Sequence, residues 1–198
     1  MLMTILCYIR YRIIAVLLLL LPMQELMAEE KILIIDDPGS SSDTVNAVQW
    51  RLVTDNVMGG ISQGRLIAAS VSDRQCLRMQ GDVKLDNNGG FVQMALNLTE
   101  DKLDDITSYT GLVLEAYGNG ESYNIHLRTS NLWLPWQSYR SSFIAPAEWK
   151  TFYIPFTDFA PYRTSKTLKL EKIERIGVVA IGREFTADLC IGKFGLYR

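Results

Sequence analysis

Past residue 30 the chain almost never repeats its apolar residues at helical spacing. It advances in short runs rich in Val, Ile, Leu, Tyr and Phe, each closed by Gly, Asn, Asp or Pro. Such runs fit strands, whose alternate residues face opposite sides, better than an amphipathic helix. The pattern predicts strands at Lys31–Ile35, Gly64–Ala69, Cys76–Gln80, Phe91–Leu98 and Gly111–Tyr117. It continues with Ser122–Thr129, Lys150–Pro155, Arg175–Ile181 and Ala187–Tyr197. Leu168–Arg175 competes as a helical turn leading into the strand Ile176–Ile181. About nine strands with turns at this spacing imply an all-β sandwich or jelly roll. No internal repeat, low-complexity tract or linker divides residues 29–198, so one domain is expected there.

The first 28 residues read differently. Arg10 and Arg12 precede an apolar run, Ile13–Leu21, and a small residue, Ala28, stands before Glu29 and Glu30. A basic stretch, a short apolar segment and a small-residue cut site describe a secretory signal peptide over residues 1–28. The run is far shorter than the roughly 20 residues a spanning helix needs, so no stable membrane insertion is expected after cleavage. The expected location is periplasmic or secreted. The whole chain carries a formal net charge of −2; losing Arg10, Arg12 and Glu25 leaves it still mildly acidic, which gives no electrostatic case for nucleic acid. Cys7 leaves with the leader, and Cys76 and Cys190 remain. An oxidising compartment permits them to pair, but each sits in a strand-like segment, and two small residues that never meet are expected. One histidine and two cysteines are too few for the usual zinc sites.

Several residue patterns are candidates for function. In Tyr123–Arg128, Tyr123, Ile125 and Leu127 face one way while Asn124, His126 and Arg128 face the other. That second row is a candidate ligand surface; a solvated face is its plainer reading. Asp55-Asn56-Val57-Met58-Gly59-Gly60 joins turn formers to a glycine pair, and Asn88-Gly89-Gly90 repeats the chemistry. Met58 between them is an adaptable apolar contact, and loops on a rigid sandwich are where binding residues concentrate. The competing reading is a structural corner with Met58 buried. Trp133, Trp136 and Tyr139 lie in a stretch suited to stacking on sugar rings or anchoring a partner. Trp133 is expected to pin that stretch as a loop; for Trp136 packing and ligand contact stand open alike. Trp50 and Trp149 are expected in the core. Arg128, Arg140 and Arg163 are candidate clamps for an anionic group.

These segments together resemble the complex I intermediate-associated protein 30 family. The resemblance is carried by Trp50, Asp55–Ser62, Gly81–Val83, Asn88–Phe91 and Tyr109–Leu112. It extends through Tyr123–Arg128, Trp149, Ile154–Phe156 and Ile191–Tyr197, in order, over roughly residues 32–198. It implies a galactose-binding-like jelly-roll β-sandwich, a fold shared with certain carbohydrate-binding modules. The mitochondrial members are similar to assembly chaperones that attach to complex I intermediates and are absent from the finished enzyme. A secretory leader departs from those members, because an exported protein would not meet matrix-side intermediates.

The resemblance brings no catalytic residues. His126 is the only histidine, no Gly-x-Ser-x-Gly motif accompanies it, and Gly118-Asn119-Gly120 falls short of a dinucleotide fingerprint. Asp36-Asp37 with Asp43 could ligate calcium, though a solvated loop is the plainer reading, so no metal and no cofactor are expected. Asp104, Asp105, Asp158, Glu171 and Glu174 leave open a carboxylate-dependent hydrolase. The leading expectation is a non-enzymatic, assembly-factor-like binding module with a protein partner; the alternative is a carbohydrate-binding module with a glycan ligand. The expected contact residues are Asp55, Asn56, Met58, Gly59, Gly60, Asn88, Gly89, Gly90, His126, Arg128, Trp136 and Tyr139.

Overall fold

A computed structural model describes residues 31–40, 50–98 and 105–198. The leader assigned to residues 1–28, the candidate calcium ligand Asp43 and the candidate hydrolase carboxylate Asp104 lie outside the described residues. Twelve strands are described: β1 (Ile32–Asp36), β2 (Trp50–Thr54), β3 (Gln63–Val71), β4 (Arg74–Val83), β5 (Phe91–Asn97) and β6 (Gly111–Tyr117). They continue as β7 (Ser122–Thr129), β8 (Ser138–Ile144), β9 (Lys150–Pro155), β10 (Ala160–Tyr162), β11 (Ile173–Ile181) and β12 (Phe185–Tyr197). Helical structure among the described residues is limited to single 3-10 turns, and none of it is long and apolar enough to cross a membrane. The helical turn expected within Leu168–Arg175 is present but shorter, a 3-10 turn at Leu170–Lys172, and the strand after it, β11, begins earlier, at Ile173.

The strands form two six-stranded antiparallel sheets. The first runs β3-β4-β12-β6-β9, with β1 also paired to β12. The second runs β10-β8-β7-β11-β5-β2. Alternation fills the space between them. Tyr123, Ile125 and Leu127 of β7, with Ile176 and Val178 of β11, face Met79, Leu112, Leu114 and Leu189 of the first sheet, and all are fully buried. Each such aliphatic side chain contributes about 1.5–3 kcal/mol by leaving water. Trp50 and Trp149 are half-buried rather than central. Trp50 packs edge-on against Phe194 at 5.3 Å, and its indole N–H donates to the buried Asp36 carboxylate at 2.9 Å. Asp36 therefore serves the core. Trp149 donates to the Val71 carbonyl at 2.9 Å.

The expectation that Cys76 and Cys190 stay apart is overturned: they form a disulfide, with Cα atoms 5.5 Å apart. Cys190 lies opposite Arg78 in the β4–β12 ladder, so Cys76 sits diagonally across from it on the same face. The two strands are far apart in sequence, and their adjacency is set by topology alone.

Candidate recognition surfaces

At one end of the sandwich, β2 runs into a 3-10 turn, Asp55–Met58, that ends on Gly59 with φ 91°. Asp55 is fully buried there. Its carboxylate accepts the Ser62 N–H at 2.9 Å, the Ser62 hydroxyl, the Gly90 N–H at 2.5 Å and the Phe91 N–H at 3.2 Å. The Ser62 hydroxyl oxygen in turn accepts the Lys84 N–H at 2.9 Å. Loops 55–62 and 84–91 are thus one hydrogen-bonded unit. Burial pushes the Asp55 carboxyl up, but the hydrogen bonds from Ser62, Gly90 and Phe91 outweigh it and hold the group below the usual carboxylate range. The glycines make room for this anchor. A β-carbon at Gly60 would lie 2.4 Å from Asp55 Cγ, and one at Gly89 2.5 Å from Asp55 Oδ2.

Asp55, Gly60 and Gly89 therefore build the loops. Val57 is 72% exposed and Met58 52%, and Ile61 and Leu85 are exposed too. The reading of Met58 as a buried corner does not hold. Asn56 and Gly59 are also exposed, Gly90 is buried, and Asn88 closes the turn Asp86–Asn88.

His126 and Arg128 lie on the outer face of the second sheet, as the alternation in β7 requires. His126 is nonetheless buried, and its Nε2 has no hydrogen-bond partner. Burial first, and then the Arg140 guanidinium opposite, lower its pKa to about 3, so the imidazole is neutral. Arg128 Nη1 donates to the carbonyls of Leu134 (3.0 Å), Pro135 (2.7 Å) and Gln137 (3.3 Å), tying loop 131–137 to this face. The Gln137 side-chain oxygen accepts the Trp133 and Leu134 N–H groups at 3.1 Å each. Polar contacts, not tryptophans, set the loop. Trp133, expected to pin it, is 86% exposed, and Trp136 is exposed beside it. Tyr139 is corrected in the opposite direction. It faces the core, is buried, and donates its hydroxyl to the Thr167 carbonyl at 3.1 Å, so no ligand at the surface reaches its ring.

The expected site residues are not one cluster. Strands β5 and β7 run the same way across the second sheet, which puts the Asp55 loops at its start and loop 131–137 at its far end. Val57, inside the expected recognition loop, and Ile61, Leu85, Arg51 and Arg175 were not among the expected contact residues; the placement of the two arginines depends on strand register. The carboxylates considered for hydrolysis, Asp105, Asp158, Glu171 and Glu174, are each exposed.

A family model described as complex I intermediate-associated protein 30 matches residues 40–195. No match was found among curated proteins. Among solved structures, the chain is similar to the family 11 carbohydrate-binding module of the cellulosomal cellulase Lic26A-Cel5E of Clostridium thermocellum. The TM-score is 0.65 at 15% identity, covering 84% of this chain and 94% of that one. A family 11 carbohydrate-binding module from Clostridium thermocellum in complex with a β-1,3-1,4-mixed-linked tetrasaccharide aligns with TM-score 0.63 at 16% identity, covering 84% and 94%. The family 30 carbohydrate-binding module of Clostridium thermocellum Cel9D-Cel44B aligns with TM-score 0.56 at 12% identity, covering 84% and 96%. At these identities the likeness concerns the fold, a galactose-binding-like sandwich.

Proposed function

The chain belongs to the complex I intermediate-associated protein 30 family, and we propose that it is a non-catalytic, assembly-factor-like binding protein that docks a protein partner outside the cytoplasm. The carrying observation is the apolar surface of Val57, Met58 and Ile61, held out of the core by loops fixed on the buried Asp55 carboxylate. Apolar groups on a rigid frame lose little freedom on binding, which is the property of a recognition site. Export is supported by Arg10 and Arg12 before the Ile13–Leu21 run and by the Cys76–Cys190 bond, since disulfides persist in oxidising compartments. The partner of the mitochondrial relatives does not carry over to such a location.

The test is affinity capture from native membranes and periplasm with the wild type and with Met58→Asp. A partner held by the wild type and lost from the variant, at unchanged melting temperature, supports the assignment. Equal capture by both moves the partner site elsewhere. N-terminal sequencing of the purified protein should begin near Glu29; a product starting at Met1 removes the export part.

A second reading, carbohydrate binding, is favoured by one observation. Trp133 and Trp136 are exposed on a loop whose backbone is already fixed by Arg128 and Gln137, and indoles stack well on sugar rings. A glycan array with the wild type and the Trp133→Ala, Trp136→Ala double variant tests it. Signal abolished in the double variant supports the reading, and no signal from either protein counts against it.

A further inference from the structure

The outer face of the second sheet gathers cations that form no ion pair among the described residues. Register places Arg140 beside His126, His126 beside Gly177, Gly177 beside Ala95 and Ala95 beside Arg51. Arg175, one row on, stands between Arg128 and Asn97. Ion pairs among the described residues join Arg74 to Glu115, Arg78 to Asp188 and Arg183 to Glu121, all elsewhere. The guanidiniums of this face use neutral partners. Arg51 (3.3 Å) and Arg175 (3.1 Å) both donate to the single side-chain oxygen of Asn97. Arg140 lies 3.4 Å above the Tyr162 ring, and Arg163 lies 5.4 Å from the same ring. Burial and then the charges of Arg51 and Arg128 disfavour the charged form of Arg175, against attraction from the exposed Glu174. Crowding like charges without internal compensation costs stability, and a cluster of forked donors is how carboxylates are recognised.

A second, independent observation lies at the centre of the face. His126 is 9% exposed and turned into this surface, yet its Nε2 has no partner, although buried polar atoms are nearly always paired. A neutral imidazole nitrogen suits a hydroxyl rather than an anion. Loop 131–137, tied to the same face through Arg128, adds two exposed indoles.

We propose that this face binds a uronate-bearing polysaccharide: Arg51, Arg140 and Arg175 take its carboxylates, His126 Nε2 takes a ring hydroxyl, and Trp133 and Trp136 stack on its pyranose rings. The proposal rests on the carbohydrate reading above and adds the acidic class of ligand. An acidic peptide would answer the arginines but leave His126 and the indoles without a role.

The experiment is calorimetric titration of the disulfide-bonded protein with polygalacturonate, a neutral mixed-linkage β-glucan and polyglutamate. Polygalacturonate should bind at least tenfold more tightly than either of the others. The Arg51→Gln, Arg175→Gln double variant should lose at least tenfold in affinity at unchanged melting temperature. Should the double variant not fold, the exposed Arg51→Gln alone should still lose severalfold. Arg65→Gln, which removes the same charge from the first sheet, should change nothing. Equal affinity for the neutral glucan would overturn the acidic class and leave the carbohydrate reading standing; binding to no glycan would overturn both. Equal affinity for polyglutamate, or equal weakening by Arg65→Gln, would reduce the effect to general charge attraction and overturn the proposal.

Discussion

Asp55 anchors four donors on one carboxylate in the interior, so the effect of its loss can be sized. Asp55→Ala leaves the Ser62, Gly90 and Phe91 N–H groups without their acceptor, while the Ser62 hydroxyl keeps the Lys84 carbonyl at 3.2 Å. Each unpaired buried group costs about 1–3 kcal/mol, and partial relaxation leaves an expected loss of about 3–5 kcal/mol, measurable by urea unfolding. A loss under about 1 kcal/mol would show that the loops hold without the anchor. His126 gives a second effect, with a sign. Its unfolded value of 6.5 falls to about 3 in the folded protein through burial and Arg140. Between those values the unfolded chain binds a proton that the native one does not, so stability falls as pH drops below 6.5. At pH 5 the deficit is about 2 kcal/mol, at 1.36 kcal/mol per unit. Asp36, raised by burial, acts in the opposite direction, so the effect is read as the difference between wild type and His126→Gln. Parallel stability–pH curves for the two proteins would contradict it. The turn chemistry of Asp55 and the glycines was legible in the residues themselves. That Asp55 is buried was not, because two of its four donors come from a loop more than thirty positions away.

At the scale of elements, the long apolar runs announced themselves and the polar or short ones did not. Strand β8 (Ser138–Ile144) carries three serines and an arginine and reads as loop, yet its alternation decides that Tyr139 faces the core and Arg140 the surface. That one missed strand accounts for the misplacement of Tyr139. Strand β2 is five residues long and hidden at the head of the Asp55 motif. Strand β10 is three residues with Pro161 at the sheet edge, where a missing N–H is tolerated. Loop 131–137 looked like a segment needing tryptophans to pin it, but its order comes from Gln137 and Arg128. Gln137 is half-buried and its hydrogen bonds are local to this loop and Arg163, so Gln137→Ala should lower global stability by no more than about 1.5 kcal/mol. It should also accelerate hydrogen exchange at the Trp133 and Leu134 amides that the Gln137 oxygen now holds. Unchanged exchange at those amides would mean that Arg128 alone sets the loop.

For the whole molecule, the class of fold followed from strand spacing and turn residues, but the order of strands within each sheet did not. The disulfide is the consequence of that gap. Cys76 and Cys190 lie 114 positions apart, and only the pairing of β4 with β12 makes them neighbours. A cross-link closing a loop of that length removes much freedom from the unfolded chain, by about 4.7 kcal/mol in the entropic account for a loop near 100 residues. The folded state does not depend on the bond alone, because a continuous core of fully buried residues runs between both sheets. The Cys76→Ala, Cys190→Ala double variant should therefore stay folded at 25 °C. Its melting temperature should fall by about 10 °C, given roughly 2–4 °C per kcal/mol for a chain of this size. Reducing agent should lower the wild type by the same amount and leave the double variant unmoved. An unfolded double variant would make the bond a condition of folding rather than a reinforcement. A melting temperature equal to that of the wild type, together with two free thiols in a titration of the purified protein, would mean the cysteines stay reduced. In that case the oxidising compartment proposed here would lose its support from the disulfide.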